Sequence, residues 1–215
     1  MTVMRKKLQF VVTAGPTREY VDPVRFLSNP STGKMGFAIA RAAAARGHSV
    51  TLVAGPVALP TPKGVDRVDV TSARDMLTAV GRALESAPAA VLVAAAAVAD
   101  WRPASCAAKK LKKGRMKGVL RLVRNPDVLK SAKASVKVGF AAETDNVMAE
   151  ASRKLREKEL AMIVANDVTE KGAGFGADTN RVALLRRDGS VERLPMMSKL
   201  AVARRIVRAC EDFCP

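Results

Sequence analysis

The chain has 215 residues, 48% of them hydrophobic, which is enough to bury one substantial core. Its formal net charge of +17 predicts a positive surface potential that attracts triphosphates, phosphorylated metabolites or nucleic acids, and charge alone does not choose among them. Aromatic residues make up only 4% of the chain, which argues against recognition of single strands by base stacking.

The cysteines and the N-terminal residues indicate a reducing compartment. Cys106, Cys210 and Cys214 are too few and too scattered for a disulfide framework, and they lack the further ligands of a structural zinc site. The apolar run Leu8–Thr13 is too short for a signal sequence or a membrane span. We therefore expect a cytoplasmic protein without a membrane segment.

Hydrophobic periodicity predicts alternating strands and helices along the first hundred residues. The first strand runs into a long polar loop that ends near Thr32, and Ser72 is a predicted helix cap. In chain order the predicted elements are strand Leu8–Ala14, helix Gly33–Arg46, strands Ser49–Ala54 and Val65–Val70, a helix from Ser72 to about Ser86, and strand Ala89–Ala96.

The alternation resumes after a Lys-rich stretch, Asp100–Gly118. Repeated strand and helix units at this spacing predict an α/β fold with a Rossmann-like, doubly wound, mostly parallel sheet. Such sheets bind ligands at the carboxyl ends of their strands, which is where the sequence motifs fall. The further predicted elements are strand Val119–Val123, a short helix from Pro126, strand Lys137–Ala141, helix Asp145–Lys158 and strand Ala161–Ala165.

The pattern changes towards the C-terminal end. Val182–Arg186 and Val191–Leu194 flank Asp188-Gly189, a strong signal for a two-residue hairpin turn. We predict a small antiparallel hairpin appendage over about residues 166–194, followed by a last helix, Met196–Glu211. Because no repeat or low-complexity linker divides the chain, residues 1–215 are predicted to form a single domain.

The loop after the first strand is too long for a simple connector. Its last residues, Ser31–Gly33, offer hydroxyls and backbone N–H groups at a helix N-terminus, an arrangement that holds phosphate oxygens. The loop is not a P-loop, because Met35 stands where the magnesium-binding hydroxyl belongs. Nor is Gly172–Gly176 a dinucleotide fingerprint, because it opens no helix, and a mobile glycine loop is the favoured interpretation.

Short strings along the chain match one enzyme family in the family's own order: Ala14–Glu19, Asp22–Asn29, Ser31–Gly36, Ala96–Pro103, Lys110–Lys113, Asn125–Val128, Val138–Thr144 and Ala165–Val168. Through them the chain resembles the phosphopantothenate–cysteine ligases (phosphopantothenoylcysteine synthetases), which in many bacteria form the C-terminal half of a bifunctional protein. Two positions depart from the family pattern. Pro30 stands where relatives usually carry His or Arg, and Trp101 replaces a common Tyr.

The resemblance implies a ligase of coenzyme A biosynthesis. In that reaction the carboxylate of phosphopantothenate attacks the α-phosphorus of CTP, giving an acyl cytidylate and pyrophosphate, and the amine of cysteine then displaces CMP. Both nucleophiles are substrates, so catalysis must come from positioning and from neutralising charge. Human-type relatives use ATP, whereas the Lys-rich stretch here resembles the bacterial CTP users.

The resemblance also implies the cofactors and partners. Mg²⁺ is expected with the triphosphate, held by phosphates and water, because no carboxylate cluster marks a protein metal site. No flavin is expected, and a separate phosphopantothenoylcysteine decarboxylase is an expected partner unless the chain is an excised domain. The subunits are expected to form a homodimer with the 166–194 region near the contact.

Three residues match catalytic positions of the family. Asn29 has an amide suited to hold the acyl carbonyl, Arg25 has a guanidinium that could hold a phosphate or the acyl group, and Lys110 contacts the nucleotide. By the same resemblance, nucleotide binding falls to Ala94, Ala95, Ala96, Asp100, Lys110, Asn125, Pro126, Asp127, Val128, Phe140, Lys154 and Lys158, and phosphate or substrate binding to Gly15, Ser31, Thr32, Gly33, Lys112 and Lys113.

The residue types agree with these roles. Lys154 and Lys158 are four residues apart, so they lie on one helical face as a two-pronged phosphate clamp. Asn125 is a predicted helix cap that directs backbone N–H groups towards an anion. The cationic run from Lys109 to Lys113, with Arg115 and Lys117 between the flexible Gly114 and Gly118, is typical of a phosphate-closing lid.

Each assignment has a structural alternative. Asn29 could only order the turn before Pro30, and Asp100 could only cap a turn. A lysine run is usually a solvated face. The remaining alternatives are a salt bridge from Arg25 to Asp22 or Glu19, ion pairs of Lys154 and Lys158 with Glu150 or Glu157, and a plain core position for Phe140. The single histidine, His48, follows Gly47 at a helix end and is predicted to be solvent-exposed, so general-base catalysis by histidine is not expected.

Two other function classes stay open on composition and fold class. A basic nucleic-acid-binding protein would account for the charge, but the chain shows no helix-turn-helix or zinc module, so specific nucleic-acid binding is not expected. A nicotinamide-dependent reductase would use the same sheet, but no glycine-rich fingerprint follows a strand.

Overall fold

The computed structural model describes residues 6–113, 118–143, 145–167, 169–170 and 172–214. The strands in these ranges are β1 (Gln9–Ala14), β2 (Arg18–Tyr20), β3 (Phe26–Ser28), β4 (Ser49–Ala54), β5 (Asp66–Asp69), β6 (Val91–Ala94), β7 (Trp101–Pro103), β8 (Leu122–Arg124), β9 (Val136–Glu143), β10 (Met162–Asp167), β11 (Thr179–Asn180), β12 (Ala183–Arg186), β13 (Val191–Arg193) and β14 (Met197–Ser198). The helices are α1 (Lys34–Ala45), α2 (Ala73–Glu85), α3 (Val128–Ser131), α4 (Val147–Glu157) and α5 (Lys199–Asp212).

One large sheet, with the strand order β13-β12-β10-β9-β6-β1-β4-β5, organises the fold. All neighbours from β10 to β5 run parallel, whereas β12 pairs antiparallel with β10 and β13 pairs antiparallel with β12. The predicted Rossmann-like, mostly parallel sheet is therefore confirmed. From β1 the chain proceeds to β4 on one side and later returns to β6 on the other, so a topological switch point lies between β1 and β6.

Helices cover both faces of the sheet. Successive side chains of β1 point to opposite faces and, from Phe10 to Ala14, are all buried, so both faces must be covered. Phe10 and Val12 belong to the core beneath α1 and α5, whereas Val11 faces the core beneath α2. Helix α1 approaches β1 closely at Gly36, where a Cβ atom would lie 2.5 Å from the Cβ of Ala14. The loop before α1 is thereby held at the carboxyl end of β1.

Two predictions about the antiparallel parts need correction. The predicted strand Val119–Val123 is shifted to β8, which pairs antiparallel with β7 outside the large sheet and so interrupts the strand-and-helix series. The two strands pair antiparallel, and a parallel neighbour in the large sheet would need a longer crossover connection. The predicted hairpin exists, but β12 pairs with β10, so it extends the large sheet instead of forming a separate unit.

His48 is buried, and the prediction of solvent exposure is wrong. Only 5% of the residue is accessible. The backbone N–H of Leu8 donates to Nδ1 at 3.2 Å, and Nε2 lies 2.8 Å from Oε1 of Glu211 on α5. Helix α5 packs against α1, and its Glu211 contacts both Arg46 and His48 just beyond the end of α1, so the imidazole is covered.

Some predicted features lie outside the described residues. These are Gly114, Arg115 and Lys117 of the lid, and Thr144 and Val168, each of which ends a family string. In the ranges given above, no helix combines the length and apolarity needed to cross a bilayer. Cys106, Cys210 and Cys214 are all free thiols.

Candidate functional site at the carboxyl ends of β1, β6 and β9

A cavity of about 660 Å³, hereafter the main cavity, opens at the switch point of the sheet. Its floor is built by Thr13 at the end of β1, Ala94 at the end of β6 and Phe140 on β9. Predicted site residues from four separate strings, with Ala94, Lys154 and Lys158 from outside the strings, line it together: Asn29, Ala94, Ala96, Asp100, Asn125, Pro126, Asp127, Val128, Phe140, Lys154 and Lys158. The two family departures, Pro30 and Trp101, line it as well.

The loop that follows β1 places Asn29 against the loop that follows β6. The amide Nδ2 of Asn29 donates to the carbonyl oxygens of Ala97 at 3.2 Å and Val98 at 3.3 Å. Among the described residues no group donates to its Oδ1, so Asn29 offers the cavity an acceptor. Holding an acyl carbonyl by donation, as the sequence predicts, would require Nδ2 to leave one of these backbone oxygens.

The segment after β6 is fixed by side chains from neighbouring loops. Thr13 Oγ1 accepts a hydrogen bond from the backbone N–H of Ala96 at 3.1 Å. Asn125 ties the segment to the next wall, because its backbone N–H donates to the Asp100 carbonyl and its Nδ2 donates to the Ala99 carbonyl, both at 2.8 Å. The exposed carboxylate of Asp100 is thereby held at the cavity rim.

Asn125 is not the helix cap that the sequence predicts. The N-cap of α3 is Asp127, whose Oδ1 accepts from the backbone N–H of Lys130 at 3.0 Å. Pro126 and Asp127 separate Asn125 from the helix, and its side chain bonds Ala99 instead. The residue still lines the main cavity, but it acts by joining two loops.

Lys158 pairs across the cavity wall and not along its own helix. Its Nζ lies 2.8 Å from Oδ2 of Asp127, whereas Glu150 and Glu157 both pair with Arg153. Burial acts to raise the pKa of Asp127, but the hydrogen bond from Lys158 and those from backbone N–H groups outweigh it and lower the pKa. Lys154 lines the same cavity, so both predicted clamp lysines face it together.

Arg25 lies outside the cavity lining, and its guanidinium is engaged by Asp22. The Arg25 hydrogen bond holds the pKa of the fully buried Asp22 well below its usual range. The same carboxylate accepts from the backbone N–H of Leu111 at 3.1 Å, and Arg25 Nη2 donates to the Leu111 carbonyl at 2.8 Å. The pair therefore anchors the start of the Lys-rich stretch. The exposed lysines beside it, Lys110, Lys112 and Lys113, do not line the cavity.

The predicted anion-binding loop borders a second, smaller cavity of about 130 Å³, hereafter the side cavity. Ser31, Thr32 and Gly33 line it, and Gly33 adopts φ 76°, a left-handed conformation that suits glycine just before α1. Part of the expected hydrogen-bonding capacity is used internally. Gly33 N–H donates to Ser31 Oγ at 3.3 Å, which leaves the first N–H groups of α1 itself for an anion.

Gly15 supports this loop from behind without reaching the cavities. It also adopts a left-handed conformation, φ 77°, and a Cβ atom on Gly33 would lie 3.4 Å from its backbone nitrogen. Ala95 and Ala96 reach the side cavity from the end of β6. The side cavity therefore joins the main cavity along their common residues, Ala96, Ala97, Phe140, Ala142 and Phe175.

A larger groove of about 840 Å³ lies on the outer surface of α1, between that helix, α5 and residues 59–64. It contains none of the predicted site residues. The chemistry expected at the ends of the strands therefore belongs to the main and side cavities.

With this geometry in view, comparison with known proteins identifies the family. Residues 5–213 match the family described as DNA/pantothenate metabolism flavoprotein C-terminal domain. The chain belongs to this family. The membership predicted from the sequence strings is thereby confirmed.

Characterised members of the family are larger. The chain is 47% identical over 209 residues to the coenzyme A biosynthesis bifunctional protein CoaBC of Vibrio cholerae, a match that covers 94% of this chain and 52% of that protein. It is also 47% identical over 203 residues to the CoaBC protein of Bacillus subtilis, covering 92% of this chain and 50% of the relative. The chain thus spans about half the length of these curated relatives.

Solved structures agree with the fold. The crystal structure of the C-terminal domain of a CoaBC protein has a TM-score of 0.80 and 42% identity, covering 97% of this chain and 96% of that one. A Cab2 mutant structure shares the fold at 17% identity, with a TM-score of 0.79 and coverage of 98% of this chain and 88% of that one.

The sequence did not predict several residues that line the two cavities. Phe175 lines both cavities, and its loop is fixed because Thr32 Oγ1 donates to the Phe175 carbonyl at 2.8 Å and Lys199 Nζ donates to it at 3.0 Å. Gly172–Gly176, predicted as a mobile loop, thus supplies a cavity wall. Asn166 and Asn180 also line the side cavity, and only the family string Ala165–Val168 pointed to either of them.

Proposed function

We propose that the chain joins phosphopantothenate to L-cysteine in coenzyme A biosynthesis, through an acyl-cytidylate formed from CTP with release of pyrophosphate. One observation carries the proposal: residues from four separate family strings converge on one cavity at the switch point of the sheet. Membership of the family and the CoaBC relatives support it. They favour it over nucleic-acid binding and over a nicotinamide-dependent reductase.

The cavity has the polarity that a nucleotide requires. Lys154 and Lys158 supply positive charge on one wall, and the carboxylate of Asp100 with the amide of Asn125 supplies hydrogen-bonding groups for a base or ribose on another. Its volume of about 660 Å³ is in the usual range for small-molecule sites. In the proposed reaction Mg²⁺ enters with the triphosphate, and no flavin takes part.

The side cavity adjoins the place where the acyl group must lie. The carboxylate of phosphopantothenate attacks the α-phosphorus, so it has to reach the nucleotide near the residues common to both cavities, such as Ala96 and Phe140. Cab2, which has the same fold, was solved as a mutant in complex with phosphopantothenate-cysteine, the type of product proposed here. Positioning and charge neutralisation supply the catalysis.

We further propose that the enzyme works as a homodimer. Of the large apolar side chains exposed among the described residues, all but Val68 on β5 and Val191 on β13 lie on the ribbons β2–β3 and β7–β8 and the segments beside them: Val24, Phe26, Trp101, Val119, Leu120 and Leu122. The described part of region 166–194, which the family resemblance placed near the contact, exposes only Val191 among such residues. Exposed apolar patches of this kind mark interaction sites, which favours the ribbons.

The cellular setting is part of the same proposal. All three cysteines are free thiols, which supports work in the reducing cytoplasm. The product is proposed to pass to a phosphopantothenoylcysteine decarboxylase.

The test is direct. The purified chain is incubated with phosphopantothenate, CTP, Mg²⁺ and cysteine, and the amide product is detected by mass; a reaction without cysteine should release pyrophosphate but give no amide. Parallel reactions with ATP decide the choice of triphosphate. Absence of the amide with both triphosphates would refute the ligase proposal, and preference for ATP would refute only the choice of CTP.

A further inference from the structure

The outer groove continues into a smaller depression of about 390 Å³ between α1 and α5. The two parts share Arg41, Ala45 and Leu200, so they form one feature, hereafter the helix groove. Helix α1 has 12 residues and is therefore about 18 Å long, and residues from its first to its last turn line the groove. The helix groove shares only Lys34 and Lys199 with the side cavity and no residue with the main cavity. A ligand in it would therefore occupy a separate site.

The floor of the helix groove is apolar. Ala38 and Ala44 on α1, with Leu59 and Leu200 opposite them, line it, and each is partly buried and packed against the core beneath α1. Because the side chains on α1 are methyl groups, the floor lies low between its neighbours. An apolar strip that a ligand can reach, and that polar residues surround, marks an interaction site.

Three arginines surround the smaller part of the groove. Arg204 and Arg208 are four residues apart on one face of α5, with Cβ atoms about 5–6 Å apart, and Arg41 lines the same depression from α1. These exposed side chains make no ion pair or hydrogen bond with a described residue, whereas Arg205 on another face of α5 pairs with Glu192. Nor does any described carboxylate line the depression. Like charges at this spacing repel, so an anion bound between them would be stabilising.

The distribution of charge indicates the kind of anion. Cations follow the whole groove, from Lys34 and Lys63 in the larger part to Arg208 in the smaller one. The one carboxylate in the described lining, Asp178, is paired with Lys34. A single small anion would satisfy one end only, but a peptide with several carboxylates could pair along the groove. Amphipathic helices bind apolar grooves in this way, with side chains at i, i+3, i+4 and i+7 as anchors.

Nucleic acid and a second copy of the chain fit the groove less well. Nucleic acid would leave the apolar floor unused, and the one aromatic residue in the described lining, Phe37, is only 6% accessible for a base to stack on. A second copy in a symmetric contact would bring the same arginines together. The observations therefore favour an acidic segment of a different protein.

We propose that the helix groove is a docking site for an acidic amphipathic helix of a partner protein. The apolar side chains of that helix lie on the floor between α1 and α5, and its carboxylates pair with Arg41, Arg204 and Arg208. The partner binds away from the main and side cavities, so docking needs neither substrates nor turnover. The proposal is therefore independent of the ligase function.

The test uses a defined probe, a fluorescein-labelled synthetic helix with leucines at i, i+3, i+4 and i+7 and with glutamate and alanine at the other positions. Fluorescence anisotropy at physiological ionic strength measures its affinity for the full chain. A control peptide of the same composition has its leucines spread around the helix. We expect the amphipathic peptide to bind about tenfold more tightly than this control, or better. Equal affinities would indicate attraction by net charge alone and would overturn the proposal.

Charge reversal tests the arginines. Arg204→Glu with Arg208→Glu should weaken binding of the amphipathic peptide about a hundredfold or more, because two attractive contacts become repulsive. Arg74→Glu with Arg82→Glu makes the same change of net charge at exposed positions of α2, on the opposite face of the sheet, and should have little effect. Equal losses in the two variants would overturn the site. So would tighter binding of a duplex DNA that the groove variant alone abolishes, because the groove would then belong to nucleic acid.

Ala45→Trp tests the floor without a change of charge. Ala45 is exposed and lines both parts of the groove, so an indole there should exclude the leucines of the probe and weaken binding about tenfold. Ala149→Trp, at an exposed position of α4 outside the groove, is the control and should bind as the wild type does. Unchanged affinity in Ala45→Trp would overturn the placement of the helix on this floor.

Discussion

Asn29 presents an acceptor to the main cavity because its donor is engaged by two backbone carbonyls. The sequence located this residue correctly at the cavity but did not reveal which of its atoms faces the ligand. That depends on Ala97 and Val98, which are 68 and 69 residues away in the chain. A side chain's orientation is set by such distant partners, so a local motif predicts its place better than its contacts.

We predict that Asn29→Asp separates the two half-reactions. A carboxylate cannot donate to the carbonyls of Ala97 and Val98, so the side chain no longer holds its position beside the acyl group. Amide formation should fall about a hundredfold, in line with the loss of one positioned group that acts on a reacting carbonyl, whereas pyrophosphate release without cysteine should persist. Quenched-flow assays of pyrophosphate and amide measure the two steps.

Ser28→Ala is the control for this variant, because Ser28 Oγ donates to the Thr17 carbonyl in the same loop but does not line the cavity. It should leave both steps near wild type. Unchanged amide formation in Asn29→Asp would remove Asn29 from the mechanism. An equal loss of both steps would indicate that it only orders the loop.

The cationic wall of the main cavity gives a second prediction at this scale. Lys158→Ala removes a charge that faces the cavity and pairs with Asp127. A charge-assisted hydrogen bond contributes about 1.5–3 kcal/mol, so the KM for the triphosphate should rise tenfold or more. Lys133→Ala makes the same change of net charge at an exposed position outside the cavity and should leave KM unchanged. Equal effects would indicate long-range attraction instead of contact.

The backbone at Leu111, within the Lys-rich stretch, is held by the buried carboxylate of Asp22. Asp22 binds the Arg25 guanidinium and the backbone N–H of Leu111, so Asp22→Asn would weaken the anchor between the β2–β3 ribbon and the lysines that follow. If Lys110 acts on the bound nucleotide, kcat/KM for the triphosphate should fall about tenfold or more. Asp69→Asn, which breaks an exposed pair with Arg67, is the control and should have no effect on it. Wild-type kinetics in Asp22→Asn would separate the anchor from catalysis.

Helices α1 and α5 are joined by a polar contact that should respond to acid. Glu211 accepts from Arg46 at 2.7 and 2.6 Å and lies 2.8 Å from His48 Nε2. The Arg46 hydrogen bonds are the main cause that lowers the pKa of Glu211 from 4.5 to about 2. A carboxyl group whose pKa is lower in the folded than in the unfolded state stabilises the fold at pH values above its unfolded-state pKa. That contribution is therefore present above about pH 4.5 and is lost as the pH falls towards 2.

Glu211→Gln should therefore lower the free energy of unfolding by roughly 1–3 kcal/mol at pH 7, and its difference from the wild type should shrink below about pH 4.5. Urea unfolding at several pH values measures this difference. Glu157→Gln breaks a more exposed pair with Arg153 and should cost at most about 1 kcal/mol. A Glu211→Gln difference that stayed constant down to pH 2 would contradict the assignment.

At the level of elements, the sequence predicted the parallel part of the sheet well and the antiparallel parts less well. Ser49–Ala54 was placed to the residue, because a buried apolar run between a helix end and a loop has few other interpretations. The prediction for the β8 region was wrong because an apolar run does not reveal which strand it pairs with, and here that strand is β7. The predicted exposure of His48 was wrong for the same reason, because its burial depends on α5, which lies far along the chain.

At the scale of the whole molecule, the candidate site was predictable where the family strings lie and unpredictable where the walls come from elsewhere. Phe175 contacts Thr32 across 143 residues, and neither its loop nor Asn180 carries a local signal for a cavity. The net charge of +17 predicts anionic ligands, and lysines do line both cavities. It did not predict which of the many cations would lie there.

The proposed dimer gives a prediction that involves the whole molecule. Two candidate surfaces could form the dimer interface, the ribbons and the β12–β13 hairpin. Leu122 on β8 is an exposed apolar residue of the first (41% accessible), and Val191 on β13 is one of the second (46% accessible). If the ribbons form the interface, Leu122→Glu buries an unpaired charge there, so the dimer dissociation constant should rise about a hundredfold or more. Val191→Glu should leave the dimer intact. Sedimentation of both variants over a dilution series measures the difference.

The opposite result, dissociation by Val191→Glu alone, would return the contact to the hairpin predicted from the sequence. If both variants remained dimeric, neither surface would be the interface. A wild-type protein that is monomeric and fully active at high dilution would refute the proposal of a dimer. Activity followed across the same dilutions links assembly to function. Arg25 and the Lys-rich stretch adjoin the ribbons through Asp22 and Leu111, so dissociation should reduce ligase activity if the partner subunit helps to order that stretch.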